Sequence, residues 1–140
     1  MRILLDTHIL LWSLFESKKI KKYEREALID PQNEILVSSI SLWEISLKFS
    51  IGKLELHNIL PEDILAIVQK TGFSIINMEA QEACSYHQLP KFAHKDPFDR
   101  MLIWQAICQN FYFMTHDKAC EEYKKKGLKI FTAQGAHKVF

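Results

Sequence analysis

The chain has 140 residues, of which 48% are hydrophobic and 25% are charged. This length fits one domain, 1–140, with enough apolar side chains to bury a core without disulfide bonds or structural metals. The net charge of +1 excludes a protein that binds nucleic acid through overall basic charge, but it leaves a local basic patch open. Three cysteines without a C-x-x-C pair argue against a disulfide scaffold and a cysteine zinc site.

The sequence also predicts the compartment of the protein. The apolar run after Met1 ends at Asp6 and is too short for a signal peptide. The longest stretch without Asp, Glu, Lys or Arg, 101–116, contains three amide side chains and is shorter than a membrane span. We therefore expect a soluble cytoplasmic protein with no membrane segment.

Short apolar runs of strand length alternate with segments of helical periodicity along the chain. The predicted strands are 3–5, 35–38, 73–76, 111–114 and 129–131. The predicted helices are 7–15, 18–29, 41–50, 61–71, 79–89, 97–110 and 118–126. Because the strands are continuously apolar, we expect an α/β fold of three layers, with about five short parallel strands flanked by helices on both faces.

This alternation places five acidic residues at one edge of the predicted sheet. In a right-handed βαβ unit, the end of a strand and the start of the next helix lie on the same side. The acids at such positions are Asp6 after the first strand, Glu44 in the first turn of the following helix, Asp96 and Asp99 at the start of the long helix, and Asp117 after the fourth strand. Ligands of open α/β sheets bind at this edge.

Carboxylates that are held together repel one another and raise one another's pKa. A hard cation between them relieves this repulsion, and ligation by oxygen alone favours Mg²⁺ or Mn²⁺. Such a site suits the attack of metal-activated water on a phosphodiester. The sequence therefore predicts a metal-dependent hydrolase site, although it gives no distances between the acids.

Each acid also has a purely structural explanation. Glu44 can form an ion pair with Lys48 one helical turn further on. Asp6, Asp96 and Asp117 can cap helices, and an acid in a first turn, such as Asp99, is stabilised by the helix dipole alone. The pattern by itself leaves both explanations open.

Four stretches occur in this order along the chain: LLDTH with LLW, SLWEI, HKDPFDR and THD. Together they resemble the motifs of PIN-domain proteins, specifically the VapC-type toxin ribonucleases of type II toxin-antitoxin pairs. The resemblance implies a PIN-like fold, a metal-dependent endoribonuclease acting on single-stranded RNA, a homodimer and an antitoxin partner. Carried over by position, the catalytic and metal-binding acids are Asp6, Glu44, Asp99 and Asp117, with Asp96 as an accessory metal ligand.

Side chains beside these acids are candidates for binding the substrate or the partner. Lys95 and Arg100 are expected to contact RNA, and Thr7 and Thr115 are expected to hydrogen-bond a carboxylate or a water at the site, unless they only cap helices. The basic run at 18–25 is either a solvated helix face or a track for RNA phosphates. The apolar residues Leu10, Leu11 and Leu14 are candidates for an antitoxin groove.

Two other functions stay open from the sequence. Asp6 could be the phospho-acceptor of an Asp-based phosphatase, although His8 stands where a haloacid-dehalogenase-like site has a second acid. The chain could also be a catalytically silent PIN-like module that only binds RNA or protein. The presence of all four acids favours the nuclease, and the sequence does not identify which RNA it cleaves.

Overall fold

The centre of the molecule is one sheet in which every strand pairing is parallel. The computed structural model describes residues 1–92 and 94–134. Within these ranges the strands are β1 (Arg2–Leu5), β2 (Glu34–Ser38), β3 (Ser74–Ile76), β4 (Tyr112–Met114) and β5 (Lys129–Ile130). Their order across the sheet is β3-β2-β1-β4-β5. The predicted α/β fold with five parallel strands is confirmed.

Helices connect the strands and cover the sheet. Over the described ranges the α-helices are α1 (Thr7–Phe15), α2 (Lys22–Ile29), α3 (Ser39–Ser50), α4 (Pro61–Thr71), α5 (Ala80–Ser85) and α6 (Pro97–Gln109). Segments of 3₁₀ helix lie at Ser17–Lys19, Tyr86–Gln88 and Lys118–Lys126. None of the helices in the described part of the chain has the length and hydropathy needed to cross a membrane.

Successive side chains of the strands enter two separate apolar cores, one on each face of the sheet. Ile3 and Leu5 of β1 pack in one core with Ile64 of α4. Leu4 packs in the other core with Leu102 of α6. Because side chains of a strand alternate between its two faces, a sheet that is covered on both sides needs apolar residues at every position. This explains why β1 is continuously apolar.

The predicted helix 18–29 is divided at Ile20. The side chain of Ile20 is buried in the core, and its backbone is extended, with φ −87° and ψ 132°. The second helix, α2, begins at Lys22, where the side chain of Glu24 accepts a hydrogen bond from the backbone N–H of Lys21 at 2.8 Å. Burial of one apolar side chain therefore overrides the helical periodicity of this segment.

Other element boundaries also differ from the predictions. Helix α3 begins at Ser39 rather than at residue 41, because the Oγ of Ser38 accepts a hydrogen bond from the N–H of Ile40 at 3.1 Å. Glu44 is consequently the sixth residue of α3 and lies in its second turn, not in the first turn as predicted. The predicted helix 118–126 is a 3₁₀ helix.

Candidate metal centre

A small cleft lies where the carboxyl ends of β1 and β4 meet the start of α6. Asp6 follows β1 and caps α1, because its Oδ1 accepts a hydrogen bond from the N–H of Ile9 at 2.7 Å. Asp99 lies in the first turn of α6, and Asp117 follows β4 and caps the 3₁₀ segment. The cleft has a volume of about 50 Å³, and its polar lining consists of Asp6, Asp99, Asp117, His8, His94 and Thr115.

Asp99 also belongs to a second group of acids, which spans α3 and α6. One carboxylate oxygen each from Glu44, Asp96 and Asp99 lie within 4.8 Å of one another. Glu44 is almost fully buried, while the other two acids are half-buried. Asp99 thus connects the two groups, and the structure brings all five predicted acids into one region of the molecule.

Two threonine hydroxyls orient the buried acids. The Oγ1 of Thr7 lies 2.6 Å from the Oε1 of Glu44, to which it donates, and 2.9 Å from the Oγ of Ser41. The Oγ1 of Thr115 donates to the Oδ2 of Asp6. The structure therefore places both threonines in hydrogen bonds to a carboxylate, as expected from the sequence, and these hydrogen bonds fix the acids.

The structural explanations that the sequence offered for Glu44 and Asp96 are both realised. Glu44 forms an ion pair with Lys48, and Asp96 caps α6 by accepting a hydrogen bond from the N–H of Phe98 at 2.8 Å. Lys48 also lies 3.9 Å from a carboxylate oxygen of Asp96. Within the described contacts, this one ammonium group faces the three carboxylates of the α3–α6 group, so the pairing leaves excess negative charge.

The pKa values show where this excess charge is concentrated. Burial, with the charges of Asp96, Glu44 and Asp6, raises the pKa of Asp99 from 3.8 to about 6. Burial also raises the pKa of Asp6, although its hydrogen bond from Thr115 acts in the opposite direction. Binding of a proton, or of another cation, beside these two carboxylates therefore stabilises the folded protein.

Asp117 has the opposite electrostatic setting. Burial tends to raise its pKa, but hydrogen bonds from the N–H of Ala119 and from His94 outweigh burial and lower the pKa. The Nε2 of His94 lies 2.6 Å from the Oδ2 of Asp117. This carboxylate therefore stays ionised at the mouth of the cleft.

The donor atoms fit a hard divalent cation. The five acids offer carboxylate oxygens, which are the ligands that Mg²⁺ and Mn²⁺ prefer. One thiol, that of Cys120, approaches His94 and Asp117. Burial and the charge of Asp117 raise the pKa of Cys120 to about 12, so the thiol keeps its proton and is a poor ligand for a soft metal.

The prediction for Arg100 does not agree with the structure. Its side chain is buried, and its guanidinium donates to the carbonyl oxygens of Leu89 and Pro90 and to the hydroxyls of Tyr86 and Tyr123, at 2.8–3.2 Å. Arg100 thus ties α6 to neighbouring segments and is not available to RNA. Lys95, in contrast, is exposed beside Asp96.

Sequence reasoning missed two groups that support the site. His94 was part of the quoted HKDPFDR stretch but received no role of its own, although it contacts Asp117. Glu24 is 1% exposed, and its two oxygens lie 2.8 and 3.0 Å from the Nε2 of His116, next to Asp117. No local signal connects Glu24 with His116, because 92 positions separate them.

A larger groove of the described surface lies at the opposite edge of the sheet. It has a volume of about 890 Å³ and is lined by residues that include Ile29, Pro31 and Gly72, which precede the strands. None of the five clustered acids lines it. The chemistry therefore points to the smaller cleft, in agreement with the rule that open α/β sheets bind ligands at the carboxyl ends of their strands.

The chain thus has a parallel α/β sheet with a cluster of carboxylates at its carboxyl edge. The family model of the PIN domain matches residues 3–126. The chain therefore belongs to the PIN domain family. No curated protein matches it.

Solved structures with the same fold come from VapBC complexes. A chain of VapBC2 from Rickettsia felis, bound to a DNA fragment from its promoter, has a TM-score of 0.68 and 21% identity, and the match covers 94% of this chain and 98% of that chain. A chain of DNA-bound VapBC from Salmonella typhimurium has a TM-score of 0.63 and 20% identity, with coverages of 94% and 97%. A chain of VapBC-1 from nontypeable Haemophilus influenzae has a TM-score of 0.61 and 18% identity, and the match covers 94% of this chain and 97% of that chain. The chain thus has a PIN fold of the kind found in VapBC complexes.

The charge at Asp99 generates a prediction about stability. In the metal-free protein, Asp99→Asn should be more stable than wild type at pH 8, by on the order of 1 kcal/mol after allowance for partial exposure. The folded-state pKa of Asp99, about 6, lies above its unfolded value, so folded wild type takes up a proton here as the pH falls through 6. Protonation removes the repulsion, and the difference in unfolding free energy between the two proteins should therefore shrink toward pH 4. Urea unfolding in EDTA at pH 8 and pH 4 measures this difference.

The same pair of proteins reports on metal binding. Mg²⁺ should raise the melting temperature of wild type more than that of Asp99→Asn, because a ligand stabilises the state that binds it. If Asp99 served only the helix dipole, the variant would lose up to about 1 kcal/mol and both proteins would show the same metal-induced shift. That outcome would rule out Asp99 as a ligand.

The revised role of Arg100 can be tested separately. Arg100→Met leaves two carbonyl oxygens without their donor, and we expect a loss of about 3 kcal/mol of unfolding free energy. The matched control is Arg25→Met at an exposed position, which should change stability by less than about 0.5 kcal/mol. Thermal or urea unfolding of both variants gives the answer, and equal stabilities would contradict the structural role of Arg100.

Proposed function

We propose that the chain is a metal-dependent endoribonuclease and the toxin of a toxin-antitoxin pair, acting in the cytoplasm on single-stranded RNA. The observation that carries the proposal is the position of Asp99, which belongs both to the cleft with Asp6 and Asp117 and to the group with Glu44 and Asp96. Membership of the PIN domain family and the likeness to chains of VapBC complexes support it.

Mg²⁺ or Mn²⁺ would be held by Asp6, Glu44, Asp99 and Asp117, with Asp96 as an accessory ligand. When bound, such a cation activates the attacking water and neutralises the charge that develops on the phosphate. The buried carboxylates of Asp6 and Glu44 are held in place before substrate arrives, because threonine hydroxyls fix both of them. This preorganisation avoids a reorientation cost during the reaction.

The substrate is drawn toward the acids by basic side chains at the rim. Lys95 is exposed directly before Asp96 and is suited to contact a phosphate of the RNA. The basic residues of 18–25 are also exposed, at Lys18, Lys19, Lys21, Lys22 and Arg25. They offer a second, more distant set of phosphate contacts.

The phosphatase alternative has less support than the nuclease. His8 stands where a haloacid-dehalogenase-like site has a second acid. The chain also belongs to the PIN domain family. The silent-module alternative is decided by the cleavage assay below.

An antitoxin and a second copy of the chain are the proposed partners. A groove of about 320 Å³ between α1 and the segment 54–59 is lined by Leu11, Trp12 and Phe15, and it reaches His8, which also lines the acid cleft. We propose that a segment of the antitoxin lies in this groove. Leu10, which was predicted to contribute, is completely buried in the core and cannot contact a partner.

The nuclease proposal predicts a specific pattern of cleavage. With Mg²⁺ or Mn²⁺ the purified chain should cleave single-stranded RNA, and excess EDTA should stop the reaction. Asp6→Asn and Asp99→Asn should each lower the rate by at least about 100-fold, because each removes a proposed cation ligand. Gel analysis of labelled RNA measures the rates.

The matched control is Asp30→Asn, which changes an exposed acid far from the cluster and should cleave at the wild-type rate. Cleavage that continues in EDTA with folded protein would reject the metal mechanism. A folded wild-type chain that binds RNA but cleaves none with either metal would favour the silent module.

The antitoxin proposal predicts that the groove can be disabled without loss of catalysis. Phe15→Asp places a charge at an apolar groove position that is 46% exposed, so the fold should tolerate it. The variant should cleave RNA at the wild-type rate but resist inhibition by the protein encoded next to it. Ile29→Asp, at another exposed apolar residue, should remain inhibited, and equal inhibition of both variants would contradict this placement.

A further inference from the structure

Trp43 is an indole that the fold leaves open to solvent. Its side chain is exposed, at 57%, although burying an aromatic ring of this size is favourable. The other two tryptophans are half-buried. The Nε1 of Trp104 donates to the Oγ of Ser85 at 3.1 Å, and the Trp12 ring is flanked by His8 and His116. Trp43 therefore differs from the other two indoles in having much of its surface free.

The position of Trp43 connects it with the acid cluster. Its ring packs edge-on against Phe98, with centroids 5.0 Å apart. Trp43 immediately precedes Glu44 in α3, and Phe98 immediately precedes Asp99 in α6. The Trp43–Phe98 pair and the Glu44–Asp99 pair thus both lie across the line of contact between α3 and α6, which we call the α3–α6 seam. The contact with Phe98 holds the indole beside the acids.

We infer that Trp43 forms a stacking platform for a nucleobase of single-stranded RNA, next to the phosphate that is cleaved. This inference rests on the proposed function and deepens it. A base that is free of a duplex stacks on an aromatic face, and such stacking tolerates any base. The platform would hold the chain of the RNA at the seam, while the exposed Lys95 contacts a phosphate. It would also exclude duplex RNA, whose bases are already stacked.

A second copy of the chain is a less suitable occupant of this surface. A twofold interface brings the same patch of both copies together. Two clusters that each contain Glu44, Asp96 and Asp99 would then approach one another, and like charges across an interface are unfavourable. RNA is also anionic, but its bases carry no charge, and the cation of the proposed function would meet its phosphate.

The experiment measures binding without cleavage. Short labelled single-stranded RNA with non-hydrolysable linkages is titrated in Mg²⁺ and followed by fluorescence anisotropy. Trp43→Ala should raise Kd by about 5- to 100-fold, the effect of losing one base–aromatic stack. Trp43→Phe and Trp43→Tyr should retain most of the affinity. The matched control is Ile51→Ala at the end of the same helix, which is 56% exposed and should bind like wild type.

Removal of a base from the RNA completes the test. An abasic nucleotide at the platform should weaken binding to wild type but not to Trp43→Ala, because the variant has no stack to lose. In the presence of Mg²⁺, Trp43→Ala should raise KM more than it lowers kcat. Binding of fully duplex RNA should not depend on residue 43.

Several results would overturn the inference. Equal Kd values for wild type and Trp43→Ala, in a protein that cleaves RNA, would remove the platform and leave the nuclease proposal intact. A change in oligomeric mass on sedimentation, with unchanged RNA affinity, would assign Trp43 to a contact between copies. Loss of antitoxin inhibition with unchanged RNA affinity would assign it to the antitoxin. A wild-type chain that binds no single-stranded RNA would reject both proposals.

Discussion

The repulsion among carboxylates that share one edge of the sheet is the constraint on which the rest of the site depends. Burial, together with the charges of Asp96, Glu44 and Asp6, raises the pKa of Asp99 to about 6. Any fold that holds them together must offset this cost. The PIN fold does so only in part, and the remaining negative charge is what the proposed cation would offset.

The partial compensation comes from backbone and side-chain dipoles. Asp6 caps α1, Asp96 caps α6 and Asp117 caps the following 3₁₀ segment, so each carboxylate accepts a hydrogen bond from a backbone N–H at the positive end of a helix. Glu44 lies within α3 and lacks this support. Its charge is met by Thr7 and Lys48 instead. The structural and functional explanations of these acids are therefore not alternatives, since the contacts that cap helices also hold the oxygens in place.

The surroundings of the cluster divide into rigid and open parts. On the side of α6, Arg100 fixes neighbouring segments through four hydrogen bonds, and Glu24 fixes His116 beside Asp117. On the seam between α3 and α6, Trp43 remains open. The proposed site is thus held firmly around its carboxylate oxygens and is open where the RNA strand of the proposed function would enter.

The parallel sheet and the edge at which the acids lie could be predicted, because both follow from local patterns: continuous apolar strands, helix-breaking residues and the alternation of strand and helix. Which atoms meet depends instead on tertiary packing. Burial of Ile20 in the apolar core gives this residue an extended backbone within a segment of helical periodicity. Hydrogen bonds to the carbonyls of Leu89 and Pro90 hold the side chain of Arg100 in the interior. Only the packing of α3 on α6 brought Glu44 to Asp99. These contacts join residues that are distant in the chain. A local sequence pattern does not predict which distant group a charged side chain contacts.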